Sequence, residues 1–191
     1  MTSAIKVISY PFAFLFCSVL SISTSYAQEK RSDVIVYGAT SGGVMSALAA
    51  AKEGVSVTLI EPGDHIGGML TGGLSHTDFG DRAVIGGLCL EFYQRVADYY
   101  KKDLYFWRGP EPHVGEKILK DWLRALNVNV IYGKRLKAVV KKNRTIESIE
   151  MLNGSVYEAD IFIDGTYEGD LLAKAGISYT IGRESVTQYG E

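Results

Sequence analysis

The stretch Asp33–Glu61 reads DVIVYGATSGGVMSALAAAKEGVSVTLIE, and its parts specify one supersecondary unit. The apolar run Val34–Tyr37 has the pattern of a buried parallel strand, with the tight turn Gly38–Gly43 after it. Val44–Glu53 is Ala-rich and helical, Gly54 stops the helix, and Val55–Ile60 is the next strand. Glu61 sits at the carboxyl end of that strand. This order of strand, glycine turn, helix, strand and acid is the layout of a dinucleotide-binding βαβ unit. The helix N-terminus offers free N–H groups and partial positive charge to a diphosphate, here through the main chain of Thr40, Ser41, Gly42 and Gly43. Glu61 is placed to accept hydrogen bonds from an adenosine ribose, and a carboxylate there disfavours a 2′-phosphate, which argues against NADP.

The glycine fingerprint is imperfect. G-x-G-x-x-G maps onto Gly38, Thr40 and Gly43, so a β-branched residue stands at the second position, with Gly42 just before the third. The second glycine ordinarily lets phosphate approach the backbone closely, so Thr40 is expected to change the local fit.

The chain has 191 residues, 47% of them hydrophobic, and a formal net charge of −2. That suits one globular domain and gives no electrostatic case for a nucleic-acid partner. Residues 1–27 read as a signal peptide: Lys6 is the basic start, Val7–Leu20 the apolar stretch, and Ser25-Tyr26-Ala27 a small-x-small cleavage site. Ser9, Pro11 and Ser18 interrupt the apolar stretch, which argues against a membrane span. The expected location is periplasmic or extracellular. Of the two cysteines, Cys17 lies in the leader. Cys89 remains alone in an apolar helical pattern and is read as a core residue, so no internal disulfide is expected.

Beyond Glu61 comes the glycine-dense loop Pro62–Gly73, then amphipathic helices at Ile85–Lys102 and Val114–Leu126. The first carries Leu88, Phe92, Val96 and Tyr99 at helical spacing, and the second Ile118, Leu119, Trp122 and Leu126. Val128–Tyr132 is a short strand. Leu136–Glu158 alternates in period two around turns at Lys142–Arg144 and Asn153-Gly154, the pattern of three antiparallel strands in a meander. Ala159–Asp164 returns as a buried parallel strand, Asp170–Ala175 begins a short helix, and Ile177 starts a further strand. The fold class is α/β, a parallel sheet with flanking helices and an inserted antiparallel β-meander.

This order resembles the FAD-binding half of glutathione-reductase-type flavoproteins, a Rossmann-like FAD/NAD(P)-binding domain. A closer resemblance is to the FAD-dependent oxidoreductase family that includes exported bacterial flavoproteins, some labelled xanthan-lyase-like. GATSGG at Gly38–Gly43 looks like that family's phosphate turn, and HIGGMLTGG at His65–Gly73 like its second glycine block. DGTYEGDLLAKAG at Asp164–Gly176 is similar to the D-A-T-Y-E-G-D-L signature, with Gly165 in the alanine position. GRESVTQYGE at Gly182–Glu191 resembles the G-R-E…Y-G-E segment that follows. Members run to several hundred residues, so the chain is expected to be an N-terminal fragment lacking a substrate domain and a C-terminal return.

The resemblance implies FAD as cofactor and a small organic molecule as substrate. It places His65, Gly67 and Gly68 near the diphosphate and ribityl chain, and backbone near Leu136–Ala138 at the adenine. Asp164, Gly165 and Asp170 would border the ribityl hydroxyls or diphosphate; the alternative is helix capping by Glu168 and Asp170. His65 could equally be a surface-loop residue. The catalytic residue is unassigned, with His76 in SHTDFG the candidate general base. His113 reads as a capping or helix-start residue, and Glu91 as part of a solvated helix face. No His–carboxylate spacing suggests a metal site.

Two other readings stay open. GATSGG also echoes the G-A-T-G-x-x-G turn of NAD-dependent extended short-chain reductases, although residues 33–191 contain no Tyr with Lys four places on. A non-catalytic exported nucleotide-binding module is the third.

Overall fold

The computed structural model describes residues 31–74, 77, 80–104 and 109–190. The leader reading (1–27), His76 and Glu191 lie outside the described residues. Among those described, no helix is long and apolar enough to cross a membrane.

The strands are β1 (Ser32–Tyr37), β2 (Val57–Ile60), β3 (Asn129–Ile131), β4 (Leu136–Lys142), β5 (Thr145–Met151) and β6 (Val156–Asp164). They form one six-stranded sheet in the order β3-β2-β1-β6-β5-β4. β1 is central and parallel to both neighbours, with Tyr37 opposite Ile60 on one side and Asp164 on the other. The helices are α1 (Ser41–Lys52), α2 (Gly87–Tyr100), α3 (Pro112–Ala125), α4 (Asp170–Lys174) and α5 (Val186–Tyr189).

Because side chains alternate along a strand, β1 feeds two cores. Val34 and Val36 face the helices and pack with Val44, Leu48, Phe92, Val96, Leu119 and Trp122. Ile35 and Tyr37 face the other way, against Leu136, Ile149, Met151, Tyr157 and Leu171. The buried Tyr37 hydroxyl accepts the Leu136 N–H at 2.8 Å, tying β1 to the start of β4. Burial raises the Tyr37 phenol above its ordinary value. On the helix side, Arg95 stacks over the Trp122 ring at 4.3 Å and Lys52 at 5.5 Å. Glu91 bridges these two cations at 2.5 and 2.8 Å. It therefore ties α1 to α2 instead of lying on a plain solvated face.

Several sequence expectations need correction. The third meander strand and the returning parallel strand are one strand. β6 pairs antiparallel with β5 through Glu158 and parallel with β1 from Ala159, with no turn residue between. Among the described residues no strand follows Ile177. That stretch forms only the single turn α5, and Ile177, Tyr179 and Ile181 are exposed. A strand pattern needs a sheet edge to pair with, and no described strand pairs there. On α2 the buried stripe is Phe92, Tyr93, Val96 and Ala97, while Tyr99 is turned outward against the edge of Tyr100. Cys89 is exposed, one helical turn short of that stripe.

Candidate cofactor site

The site is built where three chain segments leave the carboxyl ends of β1, β2 and β6. Gly38 takes φ +96°, a conformation open to glycine, and its N–H donates to the Ile60 carbonyl at 2.8 Å. Gly165 N–H donates to the Tyr37 carbonyl at 2.8 Å, so the turn after β6 lies directly on the turn after β1. A Cβ on Gly165 would stand 2.8 Å from the Gly43 Cα. A Cβ on Gly43 would stand 3.1 Å from the Gly38 carbonyl carbon and would overlap its oxygen. Gly38, Gly43 and Gly165 thus form one backbone-on-backbone contact. Gly42 is different: it is exposed, and a Cβ there meets nothing nearer than Thr40 Oγ1 at 3.8 Å.

Thr40 explains its own departure from the fingerprint. It is the N-cap of α1, accepting the Gly43 N–H at 3.2 Å, and its hydroxyl donates to the Gly165 carbonyl at 2.6 Å. The Val44 N–H goes to the Thr40 carbonyl. In α1 neither the Ser41 nor the Gly42 N–H has a carbonyl one turn back to donate to; the first is directed at the Gly67 carbonyl across the Thr40–Gly67 bridge, which leaves Gly42 as the helix-end donor.

Glu61 is held before any ligand arrives. One carboxylate oxygen accepts the Ala39 N–H and the other the Gly63 N–H, each at 2.8 Å. Each oxygen keeps a second lone pair to which a hydroxyl could donate.

The second glycine block docks on the phosphate turn. Gly67 N–H donates to the Ala39 carbonyl at 2.7 Å, and the Ser41 hydroxyl to the Gly67 carbonyl at 2.7 Å. His65 stands at the rim of this block with both ring nitrogens engaged. Nε2 meets Thr71 Oγ1 at 2.8 Å and Nδ1 meets Glu116 of α3 at 3.3 Å. Burial pushes the Glu116 carboxyl up, but hydrogen bonds from Lys120 and the Ile66 N–H, with His65 nearby, hold it below its ordinary value. His65 serves as a strut between this loop and α3.

Asp164 is also committed to the chain. One of its oxygens takes the Thr166 N–H at 2.9 Å and hydroxyl at 2.6 Å, the other the Leu172 N–H at 2.9 Å. Capping of α4 therefore falls to Asp164 and to Thr166, whose hydroxyl accepts the Asp170 N–H. The Glu168 and Asp170 side chains do not supply it. Asp170 is exposed in the first turn of α4.

Gly38, Thr40, Ser41, Gly42, Gly43, Glu61, Gly67, Gly68, Asp164 and Gly165 are thus brought together. Ala138 lies out on β4, opposite Glu150, and is joined to the turn only through the Tyr37–Leu136 link. His113 is exposed in the first turn of α3. The residues 71, 116, 166 and 167 carry the site's wiring and were not singled out in the sequence. The longest of their links, residue 116 to Ile66 and residue 167 to Met69, span 50 and 98 positions, beyond any local signal.

Beside the α1 N-terminus opens a mainly apolar cavity of about 550 Å³. Ser41, Gly42 and Met45 form one wall, Met69 and Leu70 a second, and Cys89, Phe92 and Tyr93 of α2 a third. Among the described residues no group of three or more His, Cys, Asp or Glu is arranged to hold a metal ion.

The sequence profile of the family described as FAD dependent oxidoreductase matches residues 33–191, nearly all of the chain beyond the leader-like segment. The chain belongs to the FAD-dependent oxidoreductase family. Solved structures share its fold at low identity. L-proline dehydrogenase from P. horikoshii superposes with a TM-score of 0.62 at 16% identity, covering 80% of this chain and 58% of that one. AlpK gives 0.56 at 22% identity, over 76% of this chain and 33% of its own. The flavin-dependent brominase Bmp2 gives 0.58 at 13% identity, over 78% and 41%. The chain thus spans from a third to under three-fifths of these structures, and the likeness is one of fold. No protein of curated function matches the sequence.

Proposed function

We propose that this chain binds FAD and forms the cofactor-holding part of an oxidoreductase that takes a hydride from a small organic substrate. The observation that carries the reading is the glycine contact at the α1 N-terminus with Glu61 already pinned to it. Gly38, Gly43 and Gly165 let two turns and a helix end meet without side chains between them. The exposed Gly42, whose N–H has no partner inside α1, is then the main-chain donor a diphosphate would take.

The residues present fit the cofactor. Ser41 and Gly42 would hold the diphosphate, Glu61 the adenosine ribose, and the cavity walled by Met45, Met69 and Phe92 the flat ring system. When bound, FAD would supply the hydride acceptor. The chain's own task is to fix the ring against the apolar wall and keep water from it. FAD is favoured over NAD because the second glycine block and the turn after β6 both close on the phosphate turn. A proton-accepting residue for substrate is assigned to no described side chain. The reading of residues 1–27 as a leader extends the proposal to export, which N-terminal sequencing of secreted protein would test.

The experiment is FAD titration of the purified full chain, with thermal stability and Cys89 labelling as readouts. Expected are a rise in melting temperature that grows with FAD concentration and slower reaction of Cys89 with a thiol reagent. NADP should produce neither. No stabilisation by FAD at saturating concentration would overturn the reading.

A further inference from the structure

Tyr167 lies in the turn after β6 and is 55% exposed, although it is a large aromatic residue inside a tightly wired loop. Its hydroxyl accepts the Met69 N–H at 2.8 Å, spanning two segments 98 residues apart. The space it enters exists because residue 68 is glycine. A Cβ on Gly68 would stand 3.0 Å from the Tyr167 Cζ and 3.2 Å from the Thr40 Cα, and would overlap the phenolic oxygen. The tip of Tyr167, Gly68 and Thr40 therefore converge at one point, beside the α1 N-terminus.

The hydroxyl is only half used. It accepts from Met69, but among the described residues its own hydrogen has no acceptor. An O–H whose oxygen already accepts an N–H is polarised and becomes a better donor. A neutral donor fixed at the edge of a helix N-terminus suits an anionic oxygen, adding a directed bond where the helix end supplies only main-chain N–H groups.

We propose that Tyr167 is a cofactor-binding residue whose phenolic hydrogen is donated to the diphosphate of the dinucleotide. The proposal rests on the FAD reading above. Met69 N–H sets the angle of the phenol, and Gly68 makes room for it. The bland alternative is that Tyr167 merely clips two loops together, so the test must separate a clip from a phosphate contact.

The test compares wild-type full chain with Y167F, which keeps the ring and its packing, by calorimetric titration with FAD, ADP and adenosine. Urea unfolding of both proteins without ligand checks that Y167F is folded. Loss of a hydrogen bond to a charged group is expected to weaken FAD and ADP by roughly ten-fold or more. Adenosine, which has no phosphate, should bind both proteins equally. Equal weakening of all three ligands would mean that Tyr167 acts only as a clip, and would overturn the proposal. So would unchanged affinity for FAD and ADP, while leaving the FAD reading intact. Failure of the wild-type chain to bind either FAD or ADP would overturn both.

Discussion

Gly42 and Gly43 are adjacent in the first turn of α1, yet replacing each with alanine is expected to move stability in opposite directions. In a helix, alanine is favoured over glycine by about 1 kcal/mol, because glycine gives up more backbone freedom on folding. At Gly42 nothing opposes that gain: the nearest atom to a new Cβ is Thr40 Oγ1 at 3.8 Å, an ordinary contact. G42A should therefore stabilise the ligand-free chain by about 0.5–1 kcal/mol. At Gly43 the new methyl overlaps the Gly38 carbonyl oxygen. That carbonyl cannot swing aside. The Gly38 N–H is tied to Ile60, and Tyr37 before it is in register with β2 and β6. Relief requires α1 to move off the sheet, disturbing Val44, Ala47 and Leu48 beneath it. Overpacking typically costs about 1–3 kcal/mol, and a rigid backbone neighbour puts this site at the upper end. Against the 1 kcal/mol helix gain, G43A should lose about 2 kcal/mol. The two variants would then differ by about 3 kcal/mol, or roughly a hundred-fold in unfolding equilibrium. Urea unfolding followed by Trp122 fluorescence in a W107F background measures this, since Trp122 is buried in the helix-side core. FAD titration adds a second axis. Gly42 is the helix-end position proposed to meet the diphosphate, so a methyl there should weaken FAD despite the gain in stability. A G43A protein as stable as wild type, or a G42A protein less stable, would refute the reasoning.

Restoring the glycine fingerprint should do harm: T40G removes the helix cap and the bond to the Gly165 carbonyl, and should destabilise the apo chain by about 1 kcal/mol in urea unfolding. E61Q keeps the shape but turns an amide NH₂ toward one of two backbone N–H groups. Its expected cost is about 1 kcal/mol of apo stability together with weaker FAD and adenosine binding, read by calorimetry. Hydrogen bonds from Lys52 and then Arg95 hold the Glu91 carboxyl below its ordinary value. A folded pKa below the unfolded one means that this stabilisation is complete above the unfolded pKa, about 4.3, and is lost as pH falls through the lower folded value. Urea midpoints between about pH 3 and pH 7 should fall on the acid side, and E91Q should make that limb shallower.

The legible features were those written in local pattern. Val34–Tyr37, the Ala-rich helix, Gly54 and Glu61 each announce themselves through period, propensity or position, and together they placed the tight turn between β1 and α1. The Asn153-Gly154 turn likewise placed the β5–β6 hairpin. What could not be read was wiring between distant segments. Nothing near Thr40 says that its hydroxyl reaches Gly165, and nothing near Met69 says that Tyr167 takes its N–H. Tyr99 was expected inward because it lies three residues from Val96. The buried stripe instead follows Tyr93 and Ala97, a phase set by where α3 lies.

The amino-acid sequence by itself determined a βαβ unit, the acid at its end, the helices and a meander, because each rests on patterns among near neighbours in the chain. Only the tertiary structure decided what the odd residues are for. Thr40 in place of the second glycine is a cap and a cross-link, and Asp164 is spent on its own turn. Gly165 is where a Cβ would stand 2.5 Å from the Gly38 carbonyl oxygen and 2.8 Å from the Gly43 Cα, so the two turns leave no room for a methyl there. Such roles depend on which backbone atoms come within about 3 Å of one another, and that is set by how β1, β6 and α1 pack, not by the residues flanking each site.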